Sequence, residues 1–181
     1  MKIFFLVAAI LWSFTVVPAQ AQWVDKNGVQ AADAPERKTV DGFGGWLMVT
    51  PDADWKEKWS TPRESTPVFS PAEKMSIGDR VTVLSFFSNP ALNAEGKTDV
   101  VMHITITLPD GEVAVDQGGV CHAAALNPQR LRDIYLCAQV VQIGFDPTDA
   151  PGPWVVKVVV RDNVSKRSVA LTRGFTLLPA P

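Results

Sequence analysis

The sequence is short of the residue types from which reactive centres are built. It contains two histidines and two cysteines. P-loop, dinucleotide-binding, HExxH and serine-hydrolase motifs are absent, and no two carboxylates stand out as an acid–base couple. Charge of one sign is also missing. Seventeen Lys and Arg face nineteen Asp and Glu, for a formal net charge of −2. Nucleic-acid binding, which needs a basic surplus, is therefore not expected, and neither is a polybasic membrane patch. Helical periodicity never persists beyond two turns, and there is no internal repeat or low-complexity tract. Fourteen prolines and twelve glycines divide the chain into short elements.

Only the beginning of the chain carries a long apolar run. MKIFFLVAAILWSFTVVPAQA has one cation, Lys2, an apolar stretch from Ile3 to Val17, and the small-x-small triplet Ala19-Gln20-Ala21. This is the pattern of a secretory signal peptide, residues 1–21, cleaved after Ala21. Pro18 and Gln20 stop the run short of the ~18–20 apolar residues a span needs. No cysteine follows the cut, so a bacterial lipid anchor is not expected, and nor is stable membrane insertion after cleavage. The expected location is the bacterial periplasm or the exterior. Residues 22–41 are polar and aperiodic and read as a flexible leader. Residues 42–181 are long enough for a single domain with its own core.

Within that domain the apolar pattern has the period of strands. Strands are expected at 46–50, 80–88, 100–108, 112–117, 135–145, 154–161 and 168–179. VVMHITITL alternates cleanly: Met102, Ile104, Ile106 and Leu108 share one face, and His103, Thr105 and Thr107 lie on the other. Pro109-Asp110-Gly111 turns the chain back as a hairpin. Between 51 and 79, Trp55 and Trp59 are four residues apart, so a helical turn near 54–59 places both on one face. Pro62 ends that turn, and the rest is irregular. About seven strands without long helices predict an all-β fold, an antiparallel β-sandwich.

GPWVVKVVVRDNVSKRSVALTRGFTL resembles the closing strands of immunoglobulin-like and fibronectin-III-like domains of bacterial exported proteins. FGGWLMVTPD, LSFFSNPALNAEGKTDVVMHITITLPDG and FDPTDAPGPW extend the likeness to an uncharacterised family of exported proteobacterial proteins with that fold. The resemblance implies a location and an Ig-like sandwich. It implies no activity and no site residues.

Candidate chemistry is therefore read from single residues. In an oxidising compartment two cysteines most simply form a disulfide, Cys121–Cys137. The alternatives are a Cys–His nucleophile and a copper or zinc site using His103, His122, Met102, Cys121 and Cys137. Against the first, adjacent Cys121 and His122 point apart in an extended chain. Against the second, Met102 and His103 face opposite sides of one strand. Asp146 and Asp149, with Asp162, raise a calcium site, although Asp-Pro and Asp-Ala-Pro-Gly are ordinary turn chemistry. Trp55 and Trp59 are either an aromatic pair for a sugar or a partner protein, or a lid over one end of the sandwich. The sequence thus predicts an exported, non-enzymatic binding module without a cofactor, whose partner is an envelope or extracellular protein contacted through an exposed sheet edge or the long 51–79 connection. The competing reading is a carrier of a metal or small ligand, with His103, His122, Asp146 and Asp149 as its candidate ligands.

Overall fold

The computed structural model describes residues 32–62 and 67–180. The expected signal peptide, the first part of the leader and Trp23 lie outside the described residues. Ten strands, a five-residue helix and one 3-10 turn make up the regular structure of the described residues, and the fold is all-β. The first sheet runs β1 (Arg37–Val40), β2 (Phe43–Thr50), β4 (Arg80–Ser88). Both β7 (Ile134–Leu136) and β8 (Val141–Gly144) then pair with β4, at opposite ends of it. The second sheet runs β3 (Lys74–Met75), β10 (Arg167–Leu177), β9 (Gly152–Asp162), β5 (Val100–Thr107), β6 (Val113–His122). All pairings are antiparallel except the two-residue β3–β10 contact.

The sheets face each other across one apolar core. Leu47, Val49, Val81, Val83 and Phe87 from the first sheet meet Met102, Ile104, Ile106, Val156, Val158, Val160, Val169 and Leu171 from the second. These are every-second-residue sets, which is why clean alternation marked β5 and β9 so well. The sheets approach closely at Gly45. A Cβ there would lie 2.7 Å from Val169 Cγ2, so the absence of a side chain sets the spacing at that point.

β4 lacks alternation because both of its faces are covered. Every residue from Val81 to Ser88 is buried. Leu84 and Phe86, on the side away from the main core, pack with Trp55 and Phe69 in a second apolar cluster, joined by Trp46, Met48, Trp59, Leu136 and Val140. Trp46, in a strand as expected, thus faces this outer layer, while Trp154 sits in the central core.

Several boundaries differ from the sequence reading: β2 begins at Phe43 rather than 46, and β6 runs Val113–His122 rather than 112–117. Part of the expected leader is structural: Arg37–Val40 pairs with β2 through the two-residue turn Asp41-Gly42, with φ of 48° and 85°. The segment 135–145 is two short strands rather than one, separated by Cys137–Val140, where the chain leaves the β4 ladder. β3 is a two-residue edge element too short to leave a periodic signal.

Candidate functional site

Cys121 and Cys137 form a disulfide. Cys121 lies near the end of β6, in the second sheet. Cys137 follows β7, and its N–H donates to the carbonyl of Ser85 on β4, in the first sheet. The bond therefore ties the two sheets together where the chain crosses from one to the other. Sequence separation alone did not reveal this inter-sheet role. Ala138 N–H donates to the Cys121 carbonyl and closes the junction. Both cysteines are buried, so neither thiol is available as a nucleophile. Inside the crossover, Asn127 caps the 3-10 turn Pro128–Arg130 by accepting from Gln129 N–H, and the Tyr135 hydroxyl donates to the Arg130 carbonyl at 2.7 Å.

His122 stands beside this staple. Its ring packs against the stacked pair Phe87 and Tyr135, with centroids at 5.6 and 5.9 Å. Its Nδ1 is 2.7 Å from Thr98 Oγ1, and the Thr98 hydroxyl also reaches the His122 and Ala124 carbonyls. Burial lowers the pKa of the imidazole below its ordinary 6.5, because charge is poorly solvated among aromatic rings. His122 thus belongs to the structure of the crossover.

His103 lies elsewhere, on the outer face of the second sheet. Its Nε2 meets Asp116 Oδ1 at 2.5 Å. In register it sits between Gly118 on β6 and Val159 on β9, and its neighbour row is Val120, Val101, Arg161. The two histidines are thus on different parts of the sheet. Among the described residues no three His, Cys, Asp or Glu side chains gather into a group that could hold a metal ion. Asp146 and Asp149 build a turn. Asp146 Oδ1 accepts from Thr148 N–H and Oγ1, and Asp149 Oδ2 accepts from Asp146 N–H. Thr148 holds the Asp146 carboxyl below its ordinary pKa. Asp162 is fully buried, and its carboxylate is taken up by Ala91 N–H, Val164 N–H and the Ser165 hydroxyl. It staples the turn after β9 to the connection after β4.

The tryptophan pair lies in α1 (Trp55–Trp59). Trp55 is 8% exposed, and the half-buried Trp59 stacks obliquely on Phe86 at 5.0 Å. The lid arrangement is what the geometry gives, over the outer face of the first sheet. Asp54 makes no side-chain cap; its carboxylate pairs instead with Lys58 at 3.2 Å. Lys58 also meets Asp52 at 2.8 Å, and Asp52 accepts from Ser70 N–H at 2.8 Å. Both ends of the connection are thereby closed on one carboxylate. Burial pushes the Asp52 carboxyl up, but the Lys58 ammonium and the Ser70 N–H outweigh it and hold the group below 3.8.

The surface not covered in this way belongs to the second sheet. β6 is its edge strand, and Val113 and Val120 are exposed there. Beside it a groove of about 460 Å³ is lined by Val101, His103, Gly118, Val120, Val159 and Arg161, with Met102 and Gly119 at its base. On this face sequence reading singled out only His103, as a candidate metal ligand, and did not assemble the groove. The signal was present in Val120, Val159 and Arg161, at positions the alternation sends to water.

No protein-family model and no curated protein matches the chain. Partial likenesses exist among solved structures. A family 123 glycoside hydrolase from Clostridium perfringens aligns with 75% of this chain at 11% identity and a TM-score of 0.42. The alkylpurine DNA glycosylase AlkC of Pseudomonas fluorescens, bound to DNA containing an abasic site analog, aligns with 73% at 15% identity and a TM-score of 0.40. A beta-glucosidase from Listeria innocua, in complex with glucose, aligns with 79% at 9% identity and a TM-score of 0.35. The chain spans 27%, 29% and 17% of those three proteins. These likenesses carry no argument about activity.

Proposed function

We propose that this chain is an exported, non-enzymatic binding module with an immunoglobulin-like β-sandwich fold, which docks an envelope or extracellular protein through its second sheet. The export reading rests on the apolar run Ile3–Val17 with Ala19-Gln20-Ala21, and an inter-sheet disulfide accords with an oxidising compartment. The Ig-like reading is supported by two facing, largely antiparallel sheets and by the long β9–β10 hairpin entered through Gly152-Pro153-Trp154. It also rests on the resemblance of the same stretch to exported bacterial domains.

One observation carries the choice of surface. β6 is a ten-residue edge strand with exposed Val113 and Val120, and it contains neither the lysine nor the proline that ordinarily blunts an edge. The connection after β2, the other surface in question, is occupied as a lid. Between its two register shifts this edge offers backbone hydrogen bonds to an added strand. The test is affinity purification of the full chain from the envelope fraction of cells producing it, beside the double variant Val113→Lys/Gln117→Pro. The expected result is a specific co-purifying protein with the wild type that is lost from the variant. Identical profiles, or no co-purifying protein in either, contradict the proposal.

A further inference from the structure

The groove on the outer face of the second sheet has a chemistry of its own. It lies across three hydrogen-bonded strands, β6, β5 and β9, so its floor is pre-formed and needs no ordering on binding. Two features open it. Gly118 contributes no side chain, and the His103 ring is drawn aside onto Asp116. A Cβ at position 118 would already stand 3.2 Å from His103 Nδ1.

Its walls are apolar where a solvent-facing row would ordinarily be polar. Val120 is 58% exposed and Val159 40%, and both flank Val101. At one end His103 Nε2 is already hydrogen-bonded to Asp116 Oδ1, so that pair is internally satisfied. At the other end stands Arg161, which has no ion-pair partner among the described residues. Lys157, four residues along β9 from Arg161 on the same face, has none there either. The chain as a whole is slightly acidic, with a net charge of −2. Arg161 and Lys157 therefore present positive charge on this face.

We infer that this groove binds an apolar–acidic segment of a partner protein, with an apolar side chain seated against Val101, Val120 and Val159 and a carboxylate on the Arg161 guanidinium. Arginine suits a carboxylate because its planar fork matches two oxygens. The valines supply area to remove from water at about 25 cal/mol per Å², and the satisfied His103–Asp116 end gives the segment a direction. A shallow, open trough fits one or two side chains of a polypeptide better than it encloses a free small molecule. The inference rests on the reading of the chain as a binding module. It concerns a different surface from the β6 edge: strands lie about 4.8 Å apart, so a strand added to β6 would lie three strand spacings from β9 and Arg161.

The experiment is fluorescence anisotropy on the purified chain with three labelled eight-residue peptides, alternating valine with glutamate, serine or lysine, and with dodecanoate as a competitor. The glutamate peptide is expected to bind best, more weakly as salt rises. Arg161→Glu should weaken it at least tenfold and turn the preference toward the lysine peptide. Val159→Ser should weaken all three, and far-UV circular dichroism should show both variants folded. Equal binding of the glutamate and lysine peptides, or no binding of any, overturns the inference. So does an Arg161→Glu variant within twofold of wild type, or binding of dodecanoate in place of the peptides. A natural partner retained by Arg161→Glu but lost from the β6-edge variant overturns the groove and leaves the binding-module reading standing. Loss with neither variant counts against both surfaces.

Discussion

Reducing the disulfide should lower the stability of this protein without changing its fold. Cys121 and Cys137 are separated by 16 residues, and the bond closes the only covalent shortcut between the two sheets among the described residues. The chain-entropy model assigns a loop of this length about 3 kcal/mol. For a domain of this size each kcal/mol moves the melting temperature by about 2–4 °C, so a fall of about 6–12 °C is expected. The assay is thermal unfolding by circular dichroism with and without a phosphine reductant, after reduction is confirmed by thiol titration. Using the reduced wild type rather than an alanine variant keeps the side-chain volume in the core, so no cavity term enters. Amide hydrogen exchange should then rise first in residues 122–137, where the crossover loses its anchor. Melts that coincide within about 2 °C would refute the claim that the bond holds the sheets together.

Four further outcomes follow from particular contacts. Ser85 is 1% exposed and its hydroxyl has no partner among the described residues, so Ser85→Ala should raise stability by about 1 kcal/mol in urea unfolding; a loss would show a further hydrogen bond. Gly45→Ala should cost about 1–3 kcal/mol, because its methyl group meets Val169, and a double variant with Val169→Ala should recover part of that. Trp55→Ala should cost about 3–5 kcal/mol and raise dye binding as Phe86 and Leu84 lose their cover. Stability should fall on acidification. The His122 pKa is lower in the folded chain than the ordinary 6.5, so the unfolded chain takes up the proton first and stability drops as pH falls below 6.5. It levels off below the folded value. Asp52, held below 3.8, adds a second loss as pH falls through 3.8 and beyond. His122→Phe should remove the first step and leave the second.

What the sequence could tell was governed by how each strand is covered. β5, β9 and β10 have one buried face, so period two was plain and their bounds were nearly right. β2 and β4 are covered on both faces, and their continuous apolar runs gave the strand but not the outer layer. Trp55 and Trp59 at a spacing of four marked the lid, yet nothing local said which sheet it covers. β1 is a polar edge strand without alternation, and its signal was the Asp41-Gly42 pair, a strong hairpin turn. The pairing of two cysteines was legible from their number and setting. That they join opposite sheets depends on the chain crossing between 122 and 134, which is a property of topology. The groove was hidden for a similar reason, because its walls come from strands distant in sequence. Val120, Val101 and Val159 become neighbours only once β6, β5 and β9 lie side by side.

The central claim is that the second sheet is the working surface and the lid is not. Photo-crosslinking in living cells tests it most directly, with a benzophenone amino acid placed singly at Val113, Val120, Val159 or, as the control on the lid, Lys56. Adducts to one protein from the second-sheet positions, and none from position 56, are predicted. Adducts from position 56 alone, or from no position, would contradict the account.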